Sequence, residues 1–196
     1  MNEKRVEEFA YHLLTKLSAF LCYHNKAHTE NVVAAALYLC KEEKISEEEM
    51  SLIKAAALLH DTGFSMQPDG QNHEEESCRI AQKILMQSDY NNQQIETIYK
   101  LIMATRLPQS PHTFGEEILC DADLFYLGTD QYQVLSYLLY QELKAQHKIE
   151  NEQQWNEKQI QFLSSHRYFT AAARREQERS KALHLEAIIK AQQTTT

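Results

Sequence analysis

Apolar residues recur at intervals of three and four along nearly the whole chain, the spacing that gathers them on one face of an α-helix. Val6, Phe9, Ala10, Leu13, Leu14 and Leu17 form such a stripe and predict a helix over 3–21. Beyond the polar break at Tyr23–Lys26, a second helix is predicted from Ala27 to Glu43, with Val32, Val33, Ala36, Leu37 and Cys40 inward. Ser46 followed by Glu49 reads as a capping box. It opens a helix carrying Leu52, Ile53, Ala56, Ala57, Leu58 and Leu59, which runs into His60-Asp61-Thr62-Gly63 with Gly63 as its stop. Residues 64–72 and 107–111 read as loops. Further helices are predicted over 73–87, 92–104, 130–147 and 152–165, then from Tyr168 to Ala191, with a frayed tail over 192–196.

Composition supports long helices, because only four glycines and three prolines punctuate 196 residues. With 43% hydrophobic residues, no repeat and no linker, the chain is expected to fold as one all-α domain, a helical bundle over 1–191. A formal charge of −8 excludes a protein that coats nucleic acid or a membrane surface through a basic face. A small anionic substrate stays compatible, since a bound metal inverts the local field. Cys22, Cys40, Cys78 and Cys120 lie far apart without a C-x-x-C pair and are expected to be reduced, buried thiols. No stretch approaches the roughly 18 apolar residues of a membrane span, so a soluble, cytoplasmic protein is expected. A homodimer is left open.

Three constellations could carry chemistry. His24 and His28 stand four apart at the start of the second helix and project from neighbouring turns on the same side. His60 and Asp61 end the most apolar helix, where a charge is costly unless it is paired or ligated. A plain helix C-cap would not account for Asp61, whose charge opposes the helix dipole. Asp121 and Asp123 alternate within apolar surroundings, which suggests one carboxylate turned to a site and the other supporting it; a helix N-terminus with two favourable acids is the alternative. His73, followed by Glu74-Glu75-Glu76, reads first as an ordinary acidic helix start. No glycine-rich phosphate loop, nucleophile elbow or H-E-x-x-H signature occurs. Imidazole and carboxylate suit Mn, Mg, Fe, Ni or Zn, and a chain without an obvious nucleophile points to metal-activated water.

The order H…HD…D over residues 23–128 resembles the HD-domain metal-dependent phosphohydrolase superfamily. The resemblance implies a helical bundle with one or two divalent ions. His28, His60, Asp61 and Asp123 would be ligands, with Asp121 in support and His73 the candidate for a second ion. Asp123 is preferred because Ala122-Asp123-Leu124 matches the family's Ala-Asp-x-hydrophobic pattern. Tyr23-His24-Asn25-Lys26-Ala27-His28 is similar to the Y-H-N-x-x-H motif of cyclic-nucleotide phosphodiesterases, which implies His24 as general acid for the leaving oxygen. Gln159 and Phe162 are similar to that group's base-reading and base-stacking pair. The H-D-x-x-H-P-G continuation is absent, and His60-Asp61 runs instead into Thr62-Gly63-Phe64. Arg167, Arg174 and Lys181 are candidates to meet phosphate oxygens, against a reading as solvated surface charge. The expected activity is hydrolysis of a nucleotide-like phosphoester. A nucleoside monophosphatase, a (p)ppGpp-type hydrolase and a non-catalytic nucleotide- or protein-binding domain are the alternatives. A di-iron oxygenase would need further histidine ligands.

Overall fold

The computed structural model of the chain describes residues 1–194. Among these, nine α-helices follow one another: α1 (Glu3–Leu14), α2 (Lys26–Glu42), α3 (Glu47–Leu59), α4 (His73–Met86), α5 (Asn92–Ala104), α6 (Phe114–Asp123), α7 (Tyr132–Ala145), α8 (Glu152–Ser165) and α9 (Ala171–Thr194). Single 3-10 turns at Thr62–Ser65 and Phe125–Gly128 follow α3 and α6. None of these helices is long and apolar enough to cross a membrane.

The helix starts follow local chemistry. Asn25, Ser46, Thr113 and Asn151 each accept a backbone N–H of the first turn through a side-chain oxygen, satisfying donors that the helix leaves unpaired. At Ser46 the hydroxyl half of the expected capping box forms, to Glu49 N at 3.3 Å. A reciprocal box forms instead at Asn91 and Gln94, with both bonds at 3.0 Å. The centre of the bundle is α3, which touches α1, α2, α4, α5 and α6. Its run Ala55-Ala56-Ala57 is buried, and such small side chains let neighbouring helices approach closely. The most enclosed helix of the fold therefore delivers His60 and Asp61.

Several boundaries differ from the sequence-based expectation. Helix α1 stops at Leu14 rather than running to residue 21. Local turn bonds such as Leu21 N to Ser18 O take over, and the chain folds back to bury Leu21 and Tyr23. Gly63 is not a left-handed helix stop. It is required because an added Cβ would lie 1.9 Å from the His73 carbonyl oxygen, where α4 begins. The segment 114–123 forms a helix that the apolar spacing did not single out, and it places Asp121 and Asp123 near a C-terminus, not an N-terminus. Helix α9 starts at Ala171 rather than Tyr168, because the N–H groups of Phe169 and Thr170 are taken by the Asp121 carboxylate at 2.9 and 2.8 Å. It continues to Thr194, past the expected end at Ala191; residues 195–196 lie outside the described residues. All four cysteines are free thiols, with Cys22 half-buried and the other three buried.

Candidate metal centre

Three helix ends converge on one point. Asn25 caps α2 by accepting the N–H groups of Ala27 and His28, which sets His28 in the first turn. His60 and Asp61 leave the C-terminus of α3, and Asp123 is the last residue of α6. Carboxylates at two helix C-termini add negative charge where the dipole is already negative. That arrangement calls for a positive group at the point of convergence.

The side chains meet there. His28 Nε2 lies 3.4 Å from Asp61 Oδ2 and 3.2 Å from Asp123 Oδ1. His60 Nε2 lies 3.2 and 3.5 Å from the same two oxygens. His28, His60 and Asp61 are buried, and their ligand atoms fall within 4.8 Å of one another, so this trio could hold a metal ion. His28 Nε2, His60 Nε2 and Asp61 Oδ2 are also buried without a hydrogen-bond partner, a costly state in a folded protein unless something else satisfies them. His60 Nδ1 faces the Ala57 carbonyl at 2.8 Å, which places a proton on Nδ1 and makes Nε2 the nitrogen that would give its lone pair to a metal once its own proton is displaced. Donor type, burial and orientation all fit a divalent cation.

The electrostatics agree. Burial alone would depress the His60 imidazolium, but Asp61 and Asp123 overcome it and hold the ring well above its ordinary pKa. His28 is raised for the same reason. Burial pushes the Asp61 carboxyl upward, yet His60, His28 and His73 together keep it well below the usual carboxylate range. These groups lock one another in charged form around a common centre.

His73, the first residue of α4, repeats the His60 device. Its Nδ1 faces the Gly70 carbonyl at 3.1 Å, and its Nε2 lies 3.4 Å from Asp61 Oδ1. The two oxygens of Asp61 thus face different histidines. Asp121 points away, its carboxylate spent on the Phe169 and Thr170 N–H groups ahead of α9. Burial raises that carboxyl to about 6, although both N–H groups favour its ionised form.

The centre opens into a cleft of about 550 Å³ that His24, His73 and Asp123 line at one end. His24 stacks on Phe64, with ring centroids 4.4 Å apart. Its Nδ1 is hydrogen-bonded to Glu142 Oε1, while Glu142 Oε2 accepts the N–H groups of Tyr23 and His24 at 2.9 and 3.0 Å. Glu142 was not singled out in the sequence. The signal was there: a carboxylate three residues after Leu139 shares the inward face of α7. Gln159 and Phe162 also line the cleft; Gln159 Oε1 accepts from Tyr132 and Ser136 at 2.7 and 2.5 Å. Arg167 does not reach the cleft, because its guanidinium is held by the Ser164 and His166 carbonyls at the end of α8. Arg174 likewise bonds the carbonyls of Tyr168 and Phe169. Lys181 is no solvated charge: it is buried against His166 and Glu178.

Comparison with known proteins points the same way. The model of the HD domain family matches residues 26–127, more than half of the chain. An uncharacterised protein of Clostridium beijerinckii is 35% identical over 86 residues, which span 43% of this chain and 54% of that protein, so the match extends over about half of the relative's length. A crystal structure from an uncultured Thermotogales bacterium, described as a predicted HD superfamily hydrolase, superposes with a TM-score of 0.65 at 19% identity, covering 98% of this chain and 92% of the other. A Lactobacillus plantarum protein gives 0.68 at 16% identity, covering 100% and 98%. At these identities the two structures establish the shared fold.

Proposed function

The chain belongs to the HD domain family, and from that premise we propose that it is a metal-dependent phosphohydrolase acting on a phosphoester of a nucleotide-like substrate. The observation that carries the reading is the set of three buried, unsatisfied donor atoms on His28, His60 and Asp61, beside a cleft that holds an oriented histidine. His28, His60, Asp61 and Asp123 would hold one divalent ion. His73 with Asp61 Oδ1 would hold a second. The ion supplies Lewis-acid and water-activating chemistry at the phosphoryl group.

The protein's own groups do the rest. Glu142 keeps Nδ1 of His24 engaged, so that Nε2 is the nitrogen left to carry a proton to the leaving oxygen; general acid catalysis of this kind contributes about 10²–10⁴-fold. Phe64 fixes the plane of the ring. A cyclic nucleotide fits this scheme, with His24 serving the ester oxygen that departs; Gln159 and Phe162, which line the cleft, would lie on the base side. The test is metal analysis of the purified full chain, followed by assay with Mn²⁺ against cyclic AMP, cyclic GMP, deoxynucleoside mono- and triphosphates and ppGpp. Turnover of a phosphoester that stops on chelation and returns with metal supports the reading. A chain that cannot be loaded with metal and turns nothing over would instead be a binding domain.

A further inference from the structure

Helix α7 is apolar on both of its sides. The inward side, with Tyr132, Ser136, Leu139 and Leu143, lines the cleft. On the opposite side Val134 and Tyr137 stand three residues apart at 57% and 56% exposure, with Leu138 half-buried beside them. No charged residue occurs from Tyr132 to Gln141. A surface helix ordinarily turns a charged face to water, whereas a helix apolar all round belongs in an interior. Exposed apolar side chains scattered singly over a surface are ordinary, but a pair one turn apart on an uncharged stretch forms a patch.

That patch is bracketed by opposite charges. Asp130 and Lys144 each lie seven residues from Tyr137, in opposite directions. Seven residues make about two helical turns, which returns a side chain to the same face. Asp130, Val134, Tyr137 and Lys144, all exposed, therefore form one stripe with an anion at its start and a cation at its end. Such a stripe complements a reversed copy of itself. In an antiparallel pair centred on Tyr137 the two tyrosine rings meet at the axis, and Asp130 of each copy comes level with Lys144 of the other. A two-fold contact requires a patch that matches itself in this way. Tyrosine at the centre with charge confined to the rim is also the composition that interfaces favour.

We propose that this side of α7 is a contact between two copies of the chain, with the two α7 helices packed antiparallel about a two-fold axis at Tyr137. The proposal is independent of the hydrolase reading, because the stripe uses no residue of the metal centre or the cleft. A helix of 14 residues is about 21 Å long. One helix on its copy covers less than the roughly 800 Å² per partner of a standard interface, so the dimer should come apart on dilution.

The test is sedimentation equilibrium of the full chain over a range of about 1 to 200 μM, which spans the dissociation constants of weak, reversible association. The mean mass should rise with concentration from 22.9 kDa toward twice that value. Tyr137→Lys, a change at an exposed position, should raise the dissociation constant at least about tenfold while helicity stays that of the wild type. Met86→Lys, at an equally exposed apolar residue of α4, should leave it unchanged. Asp130→Lys should weaken the dimer, and combining it with Lys144→Asp should restore it, because the pair is then reversed in both copies. A chain that stays monomeric at every concentration, leaving this side to a different partner, would overturn the proposal. So would a dimer indifferent to Tyr137→Lys, or one that the reversed charge pair fails to restore.

Discussion

Glu142 grips His24 at two atoms and its neighbour Tyr23 at one: one carboxylate oxygen bonds the His24 imidazole Nδ1, and the other accepts the N–H groups of Tyr23 and His24. The carboxylate is fully buried. Burial would raise its pKa, but the bonds from His24 and from the two N–H groups keep it below the usual carboxylate range. A helix distant in sequence thereby sets both the ring and the backbone of the segment that leads into α2.

Removing the ring should separate chemistry from metal binding. His24→Ala is expected to keep its metal and to lose about 10²–10⁴-fold in turnover of esters with poor leaving groups, and much less with good ones. Glu142→Gln should lower kcat in the same direction. It should also cost about 1–3 kcal/mol of stability, because an amide nitrogen faces a buried backbone donor. Metal analysis beside steady-state kinetics decides the matter; loss of metal in the His24 variant would remove it from the acid role.

Asp121 and Asp123, two residues apart, should respond in opposite ways. Asp123→Ala, like His60→Ala, is expected to abolish both metal retention and activity. Asp121→Ala should retain metal and lose about 1–3 kcal/mol for the buried Thr170 N–H it deserts, and less for the half-buried Phe169 N–H. Elemental analysis and denaturant titration of both variants test this, and a metal-free Asp121 variant of wild-type stability would contradict it.

Protons and metal should compete at the centre. His28 and His60 hold their protons more tightly than free imidazole because of Asp61 and Asp123, so metal uptake must release protons and apparent affinity must fall as pH drops through those raised values. Raised imidazole pKa values contribute stability that is complete below about 6.5 and fades as pH rises through the folded-state values; the lowered Asp61 pKa contributes stability that is lost on strong acidification. The metal-free protein should therefore lose stability on the alkaline side, where the metal-loaded protein gains it. Calorimetry in buffers of different ionisation heat measures the release, and proton-neutral binding would refute the competition. Metal at a hundredfold over its dissociation constant should add about 2.7 kcal/mol, removed by chelation.

His166 predicts a second pH effect, on stability alone. Burial and the Lys181 ammonium, 3.2 Å from Nδ1, lower its pKa to about 4. A depressed pKa gives stability that is present above the unfolded value near 6.5 and lost as pH falls toward 4, on the order of 3 kcal/mol. Asp121, raised to about 6, works in the opposite sense over nearly the same window. The two contributions offset each other, so that of His166 is read as a difference between variant and wild type. Compared with wild type, His166→Gln should gain about 3 kcal/mol between pH 7 and pH 4, read from denaturant midpoints. A pH-independent difference would count against the burial of a neutral ring.

Local chemistry determined much of this protein in advance. The 3.6-residue period laid out most of the helices, because burying an apolar stripe depends only on near neighbours along the chain. The His60-Asp61 pair stood out because charge at the end of an apolar helix needs a partner wherever that helix packs. Tertiary structure decided the rest. Whether Asp121 or Asp123 faces the imidazoles depends on how α6 ends and where α9 begins. Glu142 reaches His24 across 118 residues of sequence. Arg167 and Lys181, basic and plausible on paper, are turned to backbone carbonyls and a buried histidine, where they satisfy unpaired groups at the end of α8. Gly63 shows the division in one residue. Its presence after an apolar helix reads as a stop, yet its reason is the backbone of α4 lying where a side chain would be, a contact between segments that no local pattern contains.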